Sequence, residues 1–152
     1  MFVIAVTLTG CAQKPAFEEL ADGPCTGAQS KLIEEHISGQ IDALAKKDWE
    51  AAYSFASADF QAAVGIDEFT FIIGAQYAML VENQGYKFDS CAIAKSAIKQ
   101  EVSVTSGDEV FNLIYRLSVN ETKLGVESAE VSKVDTPPTP LSPLARSRPG
   151  PA

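Results

Sequence analysis

Histidine is almost missing from this chain of 152 residues: His36 is the only one. With no second imidazole and no acidic pair at ligand spacing, no metal is expected. No glycine-rich phosphate loop occurs, and no serine sits in a nucleophile elbow, so two common routes to group transfer lack their parts. No cofactor is expected. Basic residues are few, 12 Lys and Arg against 20 Asp and Glu, leaving a formal charge of −8. Nucleic acid needs a basic footprint and is not expected as a partner. The same charge disfavours docking on anionic lipid through electrostatics. Long apolar runs are lacking too. The run near the start, Phe2 to Leu8, spans 7 residues, whereas a membrane-crossing helix needs about 20.

What that run does carry is its ending. Phe2-Val3-Ile4-Ala5-Val6 leads into Leu8-Thr9-Gly10-Cys11, an aliphatic residue, a small one, glycine and cysteine. This resembles a bacterial lipoprotein signal, although no Lys or Arg precedes the run. The resemblance implies a signal peptide over residues 1–10 and a lipidated Cys11 as the first mature residue. Two or three acyl chains, at about 0.8 kcal/mol per buried methylene, would then hold the protein on a membrane outside the cytoplasm. The bland alternative is a buried N-terminal strand with an incidental cysteine.

With Cys11 assigned to lipid, two of the three cysteines remain, Cys25 and Cys91. An exported compartment permits a disulfide between them. The alternative is two buried thiols. Residues 11–25 contain Pro15, Gly23 and Pro24 and read as a tether.

Beyond the tether the pattern turns helical. Thr26-Gly27-Ala28-Gln29 has capping-box spacing, and Ile33, Ile37, Ile41 and Leu44 then recur at steps of four, four and three. A helix over about 27–46 follows. Asp48 is placed to cap a second, short helix with Trp49, Ala52, Tyr53 and Ala56 on one face. Asp59 is expected to start another turn that ends at Gly65. Asp67 is expected to cap a segment with Phe69, Ile72, Ile73 and Gln76, whose broad apolar face should lie largely under a sheet.

After Tyr86 the period becomes two. Ile98, Val102 and Val104 share a parity that Gln100 interrupts, and Ser106-Gly107-Asp108 signals a hairpin. Phe111, Leu113, Tyr115, Leu117 and Val119 alternate without a break. Asn120-Glu121-Thr122 makes the next turn. The last strand changes parity between Leu124/Val126 and Ala129/Val131, which predicts a β-bulge near Glu127-Ser128. From Asp135 the chain holds six of its eight prolines, so residues 135–152 are expected to be a disordered tail.

Helices followed by an antiparallel meander make an α+β domain over 26–134, with about four strands. Here the segment Ile41 to Ser57, with Ala43, Asp48, Ala51-Ala52-Tyr53 and Ala56-Ser57, resembles the opening of a bacterial family of unknown function. Phe69 to Tyr77 is similar to its next helix, and Ile114-Tyr115-Arg116-Leu117 to its central strand. Leu44 stands where that family usually has Phe, and Leu124 and Val126 where it has a Trp before an aliphatic residue. The resemblance implies a cone-shaped, cystatin-like or nuclear transport factor 2-like fold, with a curved sheet around the helices. It brings no catalytic set with it.

Function in such a fold must come from its residues. Tyr53, Tyr77 and Tyr115 are candidates to line a pocket, with core packing as their plainer role. Asp42, Asp48, Asp59, Asp67 and Asp89 are the carboxylates available as a buried base, and three of these have a role as helix caps. His36 reads as a boundary residue beside the isoleucine stripe. Two functions are therefore expected in competition. One is a non-catalytic binding module of the cell envelope, taking an apolar small molecule or an envelope protein. The other is a small isomerase or hydrolase in which a buried Asp and a Tyr act on an apolar ligand. A homodimer through the outer sheet face, with Val110 and Ile114, is a further expectation.

Overall fold

The computed structural model describes residues 15–133. The expected signal peptide, Cys11, residues 11–14 of the expected tether and the proline-rich tail lie outside the described residues. Five helices precede an antiparallel meander: α1 (Gly27–Ala45), α2 (Trp49–Ser54), α3 (Ala58–Ala63), α4 (Ile66–Gln76) and α5 (Ala78–Val81). The sheet has five strands in sequential order, β1 (Gly23–Pro24), β2 (Gly85–Ala94), β3 (Ala97–Ser106), β4 (Glu109–Asn120) and β5 (Lys123–Lys133). The fold is α+β, with one short strand more than expected.

α1 forms where the sequence directs it. The Thr26 hydroxyl accepts from the Gln29 backbone N–H at 3.2 Å, and the Gln29 side-chain Oε1 accepts from the Thr26 N–H at 2.9 Å. A cap of this kind is worth about 1 kcal/mol. Ile33, Ile37, Ile41 and Leu44 are all fully buried. They face Ile98, Val102, Val104, Leu113 and Leu117 from the inner face of β3 and β4 in one core.

The extra strand comes from the segment read as a tether. From Pro15 onward that segment lies on the domain, because its apolar residues and polar groups find partners there. Phe17, Leu20 and Cys25 pack on the core, and the Gln29 amide donates to the Ala16 carbonyl at 2.9 Å. Gly23–Pro24 pairs with Ile93 and Ala92 of β2. The Asp22 carboxylate accepts from the Lys95 N–H in the β2–β3 turn at 2.9 Å. Cys25 and Cys91 form a disulfide, their Cα atoms 5.4 Å apart. At a sequence separation of 66, the closed loop is worth about 4 kcal/mol on chain-entropy grounds.

Two expected caps are displaced. Ser57, not Asp59, caps α3, its hydroxyl accepting from the Phe60 N–H at 3.1 Å. Gly65 starts α4 with no side-chain cap, and Asp67 sits in the first turn. A carboxylate is favoured by the helix dipole in either place, so its presence alone does not fix the boundary. Asp48 does cap α2, accepting from the Ala51 N–H at 3.1 Å. The expected face of α4 is covered only in part: Phe69 and Ile73 are buried, Ile72 is half-buried and Gln76 is exposed. Phe71, off that face, is 75 % exposed.

The bulge falls at Glu127. Arg116 pairs with Ser128 while Leu117 pairs with Val126, so Glu127 is the extra residue. At this irregularity the chain between α2 and α3 joins β5. Ser57 N–H donates to the Val126 carbonyl and Val126 N–H to the Phe55 carbonyl, both at 2.9 Å. Gly125 permits the approach: a Cβ there would run into the Ser57 backbone.

Gln100, the residue that interrupts the apolar parity of β3, is fully buried. Its amide donates to the carbonyls of Asp89, Ser90 and Glu101 at 3.3, 3.2 and 2.8 Å. The first two lie where β2 loses register between Phe88 and Cys91. Unpaired buried carbonyls are costly, and this side chain satisfies them.

Candidate functional site

α4 and β5 form facing walls of a cavity of about 140 Å³. Phe69, Ile72 and Ile73 of α4 make one side, and Val126, Glu127, Ser128 and Ala129 of β5 the other. Leu44 and Gln40 of α1, Phe60 of α3 and Leu80 of α5 complete the wall with Tyr77 and Tyr115. At the bulge four consecutive residues, Val126 to Ala129, line one wall, where a regular strand would alternate them between faces. Drug-sized sites run to about 300–1,000 Å³. A space of this volume suits about one six-membered ring.

Of the three tyrosines named as candidates, the structure brings two together. Tyr77 lines the cavity, and its hydroxyl donates to the Ala129 carbonyl at 2.6 Å. That bond ties the C-terminal end of α4 to β5 at the cavity wall. Burial raises the Tyr77 phenol above its ordinary range, and the Glu130 carboxylate adds to the rise. Tyr115 comes from the inner face of β4 and is 1 % exposed. Among the described residues its hydroxyl has no hydrogen-bond partner. Burial is the largest cause of a strong upward shift of this phenol, so it remains protonated through the physiological range.

Tyr53 does not line the cavity. Its hydroxyl donates to the Val64 carbonyl at 2.5 Å, and its ring lies 5.4 Å from that of Phe69. It braces α2 against the end of α3. The fourth tyrosine, Tyr86, donates to the Asp42 carboxylate at 2.8 Å. Sequence reasoning missed Gln40, whose buried amide donates to the Ala52 carbonyl at 3.2 Å, and Glu127. The parity break at Glu127 marked the bulge but not the cavity beside it.

Asp42, Asp48, Asp59, Asp67 and Asp89 are all exposed. None is a buried base, and none lines the cavity. His36 does not line the cavity; one turn before Gln40 on α1, its Nε2–H donates to the Phe55 carbonyl at 2.9 Å. Its ring meets that of Phe55 edge-on at 5.1 Å. Burial lowers its pKa, the carbonyl hydrogen bond opposing in part. Among the described residues no group of three His, Cys, Asp or Glu is placed to hold a metal, and no helix is long and apolar enough to cross a membrane.

Fold and cavity together define a small α+β domain whose helices cover one face of an antiparallel meander and leave an apolar cavity between α4 and β5. Over residues 26–137 the chain matches the model of the family described as Domain of unknown function (DUF4864), and it belongs to that family. Comparison with curated proteins finds no match.

Proposed function

We propose that this protein is a non-catalytic binding module of the bacterial cell envelope, held on a membrane by lipid at Cys11, that takes a small apolar molecule in the cavity between α4 and β5. The observation that carries the reading is a predominantly apolar wall that includes Tyr115, whose buried hydroxyl has no partner among the described residues. Such a site offers a ligand apolar burial and one point of orientation. The exposure of all five candidate aspartates favours binding over the isomerase or hydrolase reading, which needs one of them buried beside a tyrosine. The anchor rests on Leu8-Thr9-Gly10-Cys11. The helices on one face of a meander support the cone-shaped, nuclear transport factor 2-like reading of the fold.

Native mass spectrometry of the protein extracted from its own membrane tests both halves. The expected spectrum shows a diacylglycerol thioether on Cys11 and a small neutral adduct released on activation. An unacylated, water-soluble chain would remove the anchor. An acylated chain with no adduct would leave an envelope protein as the partner. The same spectrum reads the oligomeric state, for which the 37 % exposure of Val110 and Ile114 on the outer sheet face favours a homodimer.

A further inference from the structure

The protein has four tyrosines. Three spend their hydroxyl proton on a protein oxygen: Tyr53 on Val64, Tyr77 on Ala129 and Tyr86 on Asp42. The fourth, Tyr115, is the most deeply buried and has no such partner. A buried hydroxyl without an acceptor costs free energy, and an apolar core position offers phenylalanine as a cheaper occupant of the same shape. Tyr115 also lines the cavity. The residue that carries the orphan donor therefore borders the free space.

We propose that Tyr115 is the specificity-determining donor of this cavity, which takes a neutral molecule of about one ring bearing a single hydrogen-bond acceptor such as a ketone oxygen. The inference rests on reading the cavity as a ligand site and adds the chemistry of its ligand. The wall argues against an anion. Among the described residues its one carboxylate is Glu127, and no Lys, Arg or His lines it. An anion would enter without a counter-charge and lose its hydration uncompensated. A bare hydrocarbon would bury its surface but leave the phenol unpartnered. A ring with one acceptor satisfies both conditions, and the volume of about 140 Å³ leaves little room for more. Burial keeps the phenol in its donating form.

Two probes of seven heavy atoms each, cyclohexanone and toluene, separate the acceptor from the ring. Methyl NMR titrations of the full chain in detergent, followed at Ile72, Ile73 and Val126, give the affinity of each for the native protein and for Tyr115→Phe. The variant is expected to lose about fivefold in affinity for cyclohexanone, the worth of one hydrogen bond, and to keep its affinity for toluene. In the native protein the Tyr115 ring-carbon resonance next to the hydroxyl should move with cyclohexanone and stay with toluene, a reading that needs no variant. Equal losses for both probes would make the hydroxyl structural and overturn the inference. So would an unchanged cyclohexanone affinity, as when the phenol is satisfied through a water to Gln100, its partner in register on β3. Those two results leave the ligand cavity standing. Failure of both probes to move the methyl resonances would overturn the cavity reading itself.

Discussion

α1 and α4 are both amphipathic, yet they bury their apolar residues to different degrees. Every member of the α1 stripe, Ile33, Ile37, Ile41 and Leu44, is without solvent exposure. On α4, Phe69 and Ile73 are buried, Ile72 is half-buried and Phe71 faces solvent. α1 meets the inner face of β3 and β4 directly, whereas α4 and β5 face each other across a cavity. One helix builds the domain and the other leaves space in it. A broad apolar face can serve a ligand-sized gap as well as a core.

The contrast is sharpest in stability. Ile37→Ala should cost about 4 kcal/mol, near the upper part of the range for large-to-small changes in a rigid core. Chemical denaturation measures it, and a loss under 2 kcal/mol would show that α1 is less firmly seated than its burial implies. Ile73→Ala should cost about 2 kcal/mol, because its side chain already borders empty space and has fewer contacts to lose. Equal losses at the two sites would erase the distinction between the helices.

A smaller effect belongs to the edge of α1. Burial lowers the His36 pKa below that of the unfolded chain, so the unfolded state binds the proton more readily. The resulting stability is complete above about pH 6.5 and is lost as pH falls through that value toward the folded pKa. Glu35 and Lys123 share the open groove that His36 lines. The denaturation midpoint should therefore fall between pH 7 and 5, and more steeply in the native protein than in His36→Gln. Parallel curves would remove His36 from the account. Least of all, Phe71→Ser should change stability by no more than about 0.5 kcal/mol. A larger loss would place Phe71 in a contact of its own.

Legibility in the sequence followed the reach of each interaction. The isoleucine spacing of α1 and the alternation of Phe111 to Val119 show in consecutive residues, and both elements form where the pattern puts them. The Glu127 bulge was legible for the same reason, since a parity change is local. Gln100 was visible only as an interruption. Its purpose depends on Asp89 and Ser90 of a neighbouring strand, at an irregularity the pattern did not mark. The packed stretch from Pro15 has the local composition of a tether, because its anchors, Gln29, Lys95 and Cys91, lie further along the chain. Of the candidate site, residue type singled out Tyr77 and Tyr115 but could not separate them from Tyr53. Which phenols meet at a cavity depends on how helices and sheet leave space, and that is a property of the whole arrangement.

The Cys25–Cys91 bond also determines how the domain carries load. A pull applied between Pro15 and Lys133 travels along the chain to Cys25, crosses the disulfide and continues from Cys91 through β3, β4 and β5. The 66-position loop that holds all five helices lies outside that path and cannot be drawn out. At about 3.4 Å per residue the bond withholds roughly 220 Å of extension. Traction on the N-terminal segment is thus borne by the sheet, and the helical wall of the cavity is excluded from the line of force.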